Sequence, residues 1–145
     1  MYEKEIPETT FDLEYLSGLS IKPSLIRNVA ICGHLHHGKT LLCDMFIQHT
    51  HKKEWDIKKT YKWTDSRKDE IDRKLSVKCS PLTLVLNDMR GKSYLFNFLD
   101  TPGHPNFCDE VTVAMRLADG VLLVVDVIEG VTLYVERLIK EALRN

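Results

Sequence analysis

No CxxC pair, no long apolar run and no surplus of one charge occur in this 145-residue sequence. Its four cysteines, Cys32, Cys43, Cys79 and Cys108, are scattered, so no disulfide framework is expected. No apolar leader precedes them, and a reducing intracellular compartment is the expected setting. The most apolar stretch, residues 120–128, is about half the length that a membrane helix needs, and it carries Asp126; no membrane contact is expected. Twenty Lys plus Arg stand against twenty-one Asp plus Glu, a formal net charge of -1. That balance gives no global field to draw nucleic acid or an anionic membrane, so any nucleic-acid contact must be local. Repeats and low-complexity segments are also missing. What remains, 43% hydrophobic and 28% charged residues, suits one soluble globular domain with a real core.

Residues 1–27 mix acidic, aromatic and Pro/Ser/Gly positions without a sustained period and read as an extension or linker that packs only in pieces. From Asn28 the pattern sharpens. NVAIC predicts a short strand, a glycine-bracketed loop follows, and Leu41, Leu42, Met45, Phe46 and His49 recur at helical spacing. The alternating LTLVLND and SYLFNFLD segments, turned at Arg90 and Gly91, predict an antiparallel hairpin. Asn106 is then placed to cap a helix whose first turn holds Asp109 and Glu110 and whose apolar face is Phe107, Val111, Ala114, Met115 and Ala118. VLLVVDV, without alternation, reads as a strand over residues 120–127 buried on both faces, and residues 131–143 return to helical spacing. Alternating strands and helices predict an α/β domain with a mostly parallel sheet. A strand buried on both faces needs two neighbours and no later strand is in sight, so residues 28–145 are expected to be the front part of such a domain, truncated before its last strands.

Gly33-His34-Leu35-His36-His37-Gly38-Lys39-Thr40 satisfies G-x-x-x-x-G-K-[ST] between a predicted strand and helix, the context that a P-loop requires. The glycines let the backbone wrap phosphate, and the amides of His37 to Leu41 are expected to face the anion at the positive end of the helix. Lys39 would reach the β and γ phosphates, and Thr40 would ligate Mg2+. Asp100-Thr101-Pro102-Gly103-His104 ends the second hairpin strand at the same sheet edge. There Asp100 can hold Mg2+, and the Gly103 amide can sense the γ-phosphate as a switch. A metal reading of His34, His36 and His37 is disfavoured, because these loop positions are already assigned to phosphate. Residues 52–74 hold nine Lys or Arg against six Asp or Glu, with Trp55, Tyr61 and Trp63 interleaved. That composition suits an RNA-contacting surface, although a charged, mobile switch loop accounts for it more simply.

GHLHHGKT, RKLSV, DTPGH and DGVLLVVDVIEGV resemble the motifs of translational-type GTPases across residues 28–145. Within that class, His36 in place of an aspartate, with LIRNV, KSYLFNFLDTPGHPNF, VERLIKEA and TTFDLEYL, resembles the spliceosomal branch related to elongation factor 2, the U5 small nuclear ribonucleoprotein GTPases. The resemblance implies a P-loop NTPase G domain that binds GTP or GDP with Mg2+ and acts in pre-mRNA splicing in the nucleus, with large proteins of the U5 particle as partners. It implies nucleotide contacts from Gly33, His36, His37, Gly38, Lys39, Thr40, Leu41, Asp100 and Gly103. It places Mg2+ on Thr40, Ser76 and Asp100, with Ser76 standing where elongation factors close a threonine over the ion, and it gives His104 the attacking water. Lys74 replaces a usual glycine and Pro105 a usual valine; His36 removes an anion from the loop, and with it any monovalent-cation assistance. The guanine-reading NKxD and the later SA-type segment are expected beyond residue 145. A GTP-stabilised, non-hydrolysing scaffold and a ribosomal translocation factor are the alternative readings, the latter disfavoured by His36.

Overall fold

The computed structural model describes residues 8–52 and 62–144. A four-stranded sheet of order β2-β3-β1-β4 forms from β1 (Ile26–Cys32), β2 (Ser80–Asn87), β3 (Ser93–Asp100) and β4 (Gly120–Leu123). Its helices are α1 (Leu13–Ser20), α2 (Lys39–Thr50), α3 (Lys68–Arg73), α4 (Cys108–Leu117) and α5 (Leu133–Ala142). β1 runs parallel to β3, from Ile26 opposite Leu95 to Ile31 opposite Asp100, and parallel to β4, from Val29 opposite Gly120 to Cys32 opposite Leu123. β2 and β3 form the antiparallel hairpin expected from their alternation. The α/β fold with a mostly parallel sheet is therefore present. Its parallel registers bring the ends of β1, β3 and β4 to one edge.

Alternation along β1 divides the core. Ala30 and Cys32 face α4 and α5 in a cluster with Val111, Ala114, Met115, Tyr134 and Leu138. Ile31 points the other way, toward Cys43 and Ile47 of α2 and Leu84 and Phe98 of the hairpin. In the segment expected to be an extension, α1 lays Leu19 against Val85 and Leu95, with Phe11, Leu16, Leu25 and Ile26 beside them. No described helix is long and apolar enough to cross a membrane.

Two local expectations are corrected. Asn106 does not cap the helix: His104 takes that place for a 3-10 turn over Pro105–Phe107, its Nδ1 accepting from the Asn106 N–H at 3.2 Å, and α4 begins only at Cys108. Pro105 explains the change, since its fixed φ suits the first position of a tight turn and it has no amide to satisfy. The expected strand over residues 120–127 closes at Leu123 and is half-buried. Val124 still donates to the Cys32 carbonyl at 2.8 Å, but Asp126 then accepts from the Ile128 and Glu129 amides at 2.6 and 3.2 Å and turns the chain away.

Among the described residues β4 pairs on one side alone, and Val127 and Ile128 just beyond it are about nine-tenths exposed or more. An open, apolar sheet edge favours strand pairing between copies. The isolated 145-residue chain is expected to self-associate with rising concentration in sedimentation velocity; a monodisperse monomer throughout the range would overturn this reading.

Candidate nucleotide-binding site

The loop of residues 33–40, the end of β3 and residues 62–78 meet at the sheet edge. Two glycines shape the loop for different reasons. A Cβ at Gly33 would overlap the Val124 carbonyl oxygen, so the side chain is forbidden by contact. Gly38 has open space around it but opens α2 at φ 93, where L side chains are strained. Below them Lys39 is buried, and its Nζ donates to the His34 carbonyl at 2.8 Å. Burial pulls the Lys39 ammonium below its ordinary range, while the Asp100 carboxylate works against that shift.

A cavity of about 250 Å3 opens over this lysine, lined by Leu35, His36, Gly38, Thr40 and Leu41 from one side and Lys62, Lys74, Leu75, Ser76 and Gly103 from the other. It is a little smaller than the usual pocket for a small-molecule ligand, about 300–1,000 Å3. Three lysines border it. The only described non-glycine residues with positive φ, His36, Lys62 and Lys74, all line this cavity; conformations of that kind cost of order 1–3 kcal/mol each and gather at functional sites. Lys74 at φ 54 ends α3 in the left-handed region, which accounts for the glycine usual at this position. Gly103 is required by crowding: a Cβ there would meet the Lys39 Nζ and lie 2.8 Å from the His34 carbonyl oxygen.

Asp100 organises the floor. Its Oδ2 accepts from Thr40 at 2.9 Å and Thr64 at 2.7 Å, while its Oδ1 is buried without a partner. The Ser76 hydroxyl donates to Asp65 at 2.7 Å and lies 3.5 Å from the Thr40 hydroxyl. Thr40, Ser76 and Asp100 are thus brought together. An orphaned carboxylate oxygen beside two hydroxyls is a set of hard oxygen donors, and it fits Mg2+. Desolvation raises the Asp100 carboxyl above its ordinary value, against the lowering effect of its hydroxyl partners.

The remaining expected residues fall elsewhere. His37 is buried, its ring directed away from the cavity toward Val124 and Glu129, and its amide donates to the His34 carbonyl at 3.3 Å. His104 and Asp100 do not line the cavity, although Gly103 does. Of the aromatics in residues 52–74, Trp55 and Tyr61 lie outside the described residues. Trp63 packs on the cluster of Ile31, Cys43 and Phe98.

Four residues the sequence reading missed hold the segment in place. Asp44 on α2 accepts from the Lys62 and Trp63 amides at 2.7 and 2.9 Å. Thr64 and Asp65 provide the contacts above. Glu70, 1% exposed, accepts from the amides of Arg67, Val77 and Lys78 at 3.2, 2.9 and 3.1 Å. A glutamate in the first turn of a helix, reaching back to the preceding amide, is a capping signal that could have been read; the long-range contacts of the others leave no local signal.

Residues 24–145 match the family described as the elongation factor Tu GTP binding domain. The chain belongs to that family. This G domain is 49% identical over 140 residues to the 110 kDa U5 small nuclear ribonucleoprotein component CLO of Arabidopsis thaliana, covering 94% of the chain and 14% of that protein. It is 43% identical over 150 residues to the pre-mRNA-splicing factor SNU114 of Saccharomyces cerevisiae, covering 99% of the chain and 15% of that protein. The chain therefore spans about one-seventh of the length of these relatives. A crystal structure of a Thermus thermophilus protein superimposes with a TM-score of 0.71 at 28% identity, over 83% of the chain and 18% of that one.

Two outcomes follow for the G domain. Because folding raises the Asp100 carboxyl above its ordinary 3.8, the native state holds this proton more tightly than the unfolded chain. The contribution to stability is full below the ordinary value and is lost as pH rises through the folded one. Ligand-free Asp100→Asn should therefore outlast wild type in thermal melts at neutral pH and lose that advantage in acid; parallel pH profiles would remove the buried-charge account. Gly103→Ala must displace the Lys39 ammonium or the His34 carbonyl, and a strain of about 1–3 kcal/mol is expected. In nucleotide titrations it should weaken binding at least about fivefold, whereas wild-type affinity would show that the cradle yields freely.

Proposed function

We propose that this G domain is a Mg2+-dependent switch that binds and hydrolyses GTP, serving pre-mRNA splicing in the nucleus as part of the U5 small nuclear ribonucleoprotein. The observation that carries the reading is the Asp100 carboxylate, one oxygen unpartnered and the other bonded to Thr40, which with Ser76 and Lys39 lines the cavity. Thr40, Ser76 and Asp100 would hold Mg2+, which would neutralise charge on the bound phosphates. Lys39 supplies a point charge from below, and the first turn of α2, whose N-terminal end favours an anion, lines the same cavity. Gly103 lies against Lys39, so a phosphate held by that ammonium is positioned to be felt by residues 100–104. Identity to a U5 component and to a splicing factor supports the spliceosomal setting, with other large proteins of that particle as partners.

His104 is proposed to orient the attacking water. Its Nδ1 accepts from Asn106, so the ring carries its proton on Nε2 and has a donor to offer. A residue that acts on water in the transition state contributes to rate and not to ground-state affinity.

Paired variants separate binding from chemistry. Lys39→Ala, which removes a charge-assisted contact worth roughly 1.5–3 kcal/mol, should weaken GTP binding by about 10- to 150-fold. His104→Ala should retain affinity while single-turnover hydrolysis, assayed in the whole protein, falls about a hundredfold. Unchanged affinity in the first variant would remove the phosphate-loop role of Lys39. An unchanged rate in the second would leave a nucleotide-stabilised scaffold as the better reading.

A further inference from the structure

The phosphate loop has a second face that its nucleotide role does not use. His36 borders the cavity, but the rings of His34 and His37 turn away from it and converge on Glu129, in the turn after β4. His34 Nδ1, His37 Nε2 and a Glu129 carboxylate oxygen all lie within 4.8 Å of one another. The objection that loop positions are committed to phosphate applies to their amides, not to these side chains.

Their hydrogen bonding is incomplete in a particular way. His37 Nδ1 lies 3.3 Å from the Val124 carbonyl. A carbonyl only accepts, so this nitrogen carries the ring proton and Nε2 presents a lone pair. That lone pair faces Glu129 Oε2 at 3.0 Å, from a side chain with no solvent exposure. His34 Nδ1 faces the same oxygen at 3.7 Å, and it is buried without a hydrogen-bond partner. Three atoms able to ligate a metal thus lie close together. A proton on His37 would pair it with Glu129 but would leave His34 Nδ1 unsatisfied, whereas a metal ion satisfies all three.

We propose that His34, His37 and Glu129 form a binding site for a divalent metal ion of the zinc class, distinct from the Mg2+ position at Asp100. Two imidazoles and one carboxylate suit zinc and its neighbours rather than magnesium. With metal-ligand bonds of about 2.0–2.1 Å, tetrahedral ligands stand about 3.3 Å apart. Two of the three separations, 3.0 and 3.7 Å, bracket that edge, and the third, between the imidazoles, is within 4.8 Å. The Val124 carbonyl supplies the outer hydrogen bond that fixes the tautomer and aim of a ligating histidine. His34 is held through its carbonyl by Lys39 and by an edge-on contact with the Tyr134 ring at 5.6 Å. The Asp126 turn fixes the backbone of Glu129. The Glu129 side chain is 53% exposed, which leaves an entry path and a fourth position open to water.

Cobalt(II) is the probe, because tetrahedral nitrogen-oxygen sites give it strong visible bands and thiolates add a separate ultraviolet band. Titrated into the nucleotide-free chain, Co2+ should develop the visible bands at one equivalent without the thiolate band, be displaced by Zn2+, and withstand excess Mg2+. Glu129→Gln, on an exposed side chain, and His34→Gln should each weaken binding about tenfold or more. His37→Ala should do the same where circular dichroism shows it folded. Absence of the bands, a thiolate band in their place, or affinity unchanged in Glu129→Gln would overturn the proposal. The cobalt titrations keep Lys39 intact, so unchanged nucleotide affinity in Lys39→Ala would sink the nucleotide reading without altering them, and the two readings fail separately.

Discussion

The buried carboxylate of Asp100 is the constraint on which the site depends. It ends β3 in parallel register with Ile31 of β1, so its height above the sheet is set by backbone pairing and not by its own surroundings. Two hydroxyls reach it, one from the first turn of α2 and one from the loop entering α3. Three segments far apart in sequence are thereby tied to a single oxygen. Taking an anion out of water is costly, and the raised carboxyl of Asp100 records that two hydroxyls do not offset it fully. The second oxygen accepts from neither hydroxyl and is buried without a hydrogen-bond partner of its own.

The backbone that carries this carboxylate was largely legible in the sequence. β1, α2, the hairpin and α5 announce themselves by period, and the glycine-bracketed loop of residues 33–40 by spacing, because each depends on neighbours within a turn or a strand. The errors fall where a single side chain overrides periodicity. Asp126 ends β4 early by capturing two amides, and Pro105 converts the head of α4 to a 3-10 turn. The floor of the site was half legible. Thr40 and Asp100 stand in motifs, whereas Thr64, Asp65 and Asp44 act across 36, 11 and 18 or 19 residues and leave no local pattern.

The histidines of residues 34–37 show how one short segment serves two surfaces. Its backbone curls around the cavity, with His36 forced to φ 61 to complete the turn. That curl sends the side chains of residues 34 and 37 outward, against Tyr134 and Glu129. Lys39 joins the two faces, because the His34 carbonyl that receives its ammonium belongs to the residue whose ring reaches Glu129. Any displacement of that ammonium is therefore felt by the His34 backbone.

Polar contacts, not apolar packing, hold most of the segment over the cavity. Glu70 gathers three amides, Asp44 two, and Asp65 one hydroxyl, while Trp63 alone of the described aromatics there reaches the main core. Segments secured this way open at lower free energy than packed strands, since water can replace each partner in turn. Thr64 also occupies the same Asp100 oxygen that Thr40 uses. A cation on the other oxygen, Oδ1, would share this carboxylate with both hydroxyls. A packed sheet thus lies under a segment tied to it mainly through the side-chain oxygens of Asp44, Glu70 and Asp100.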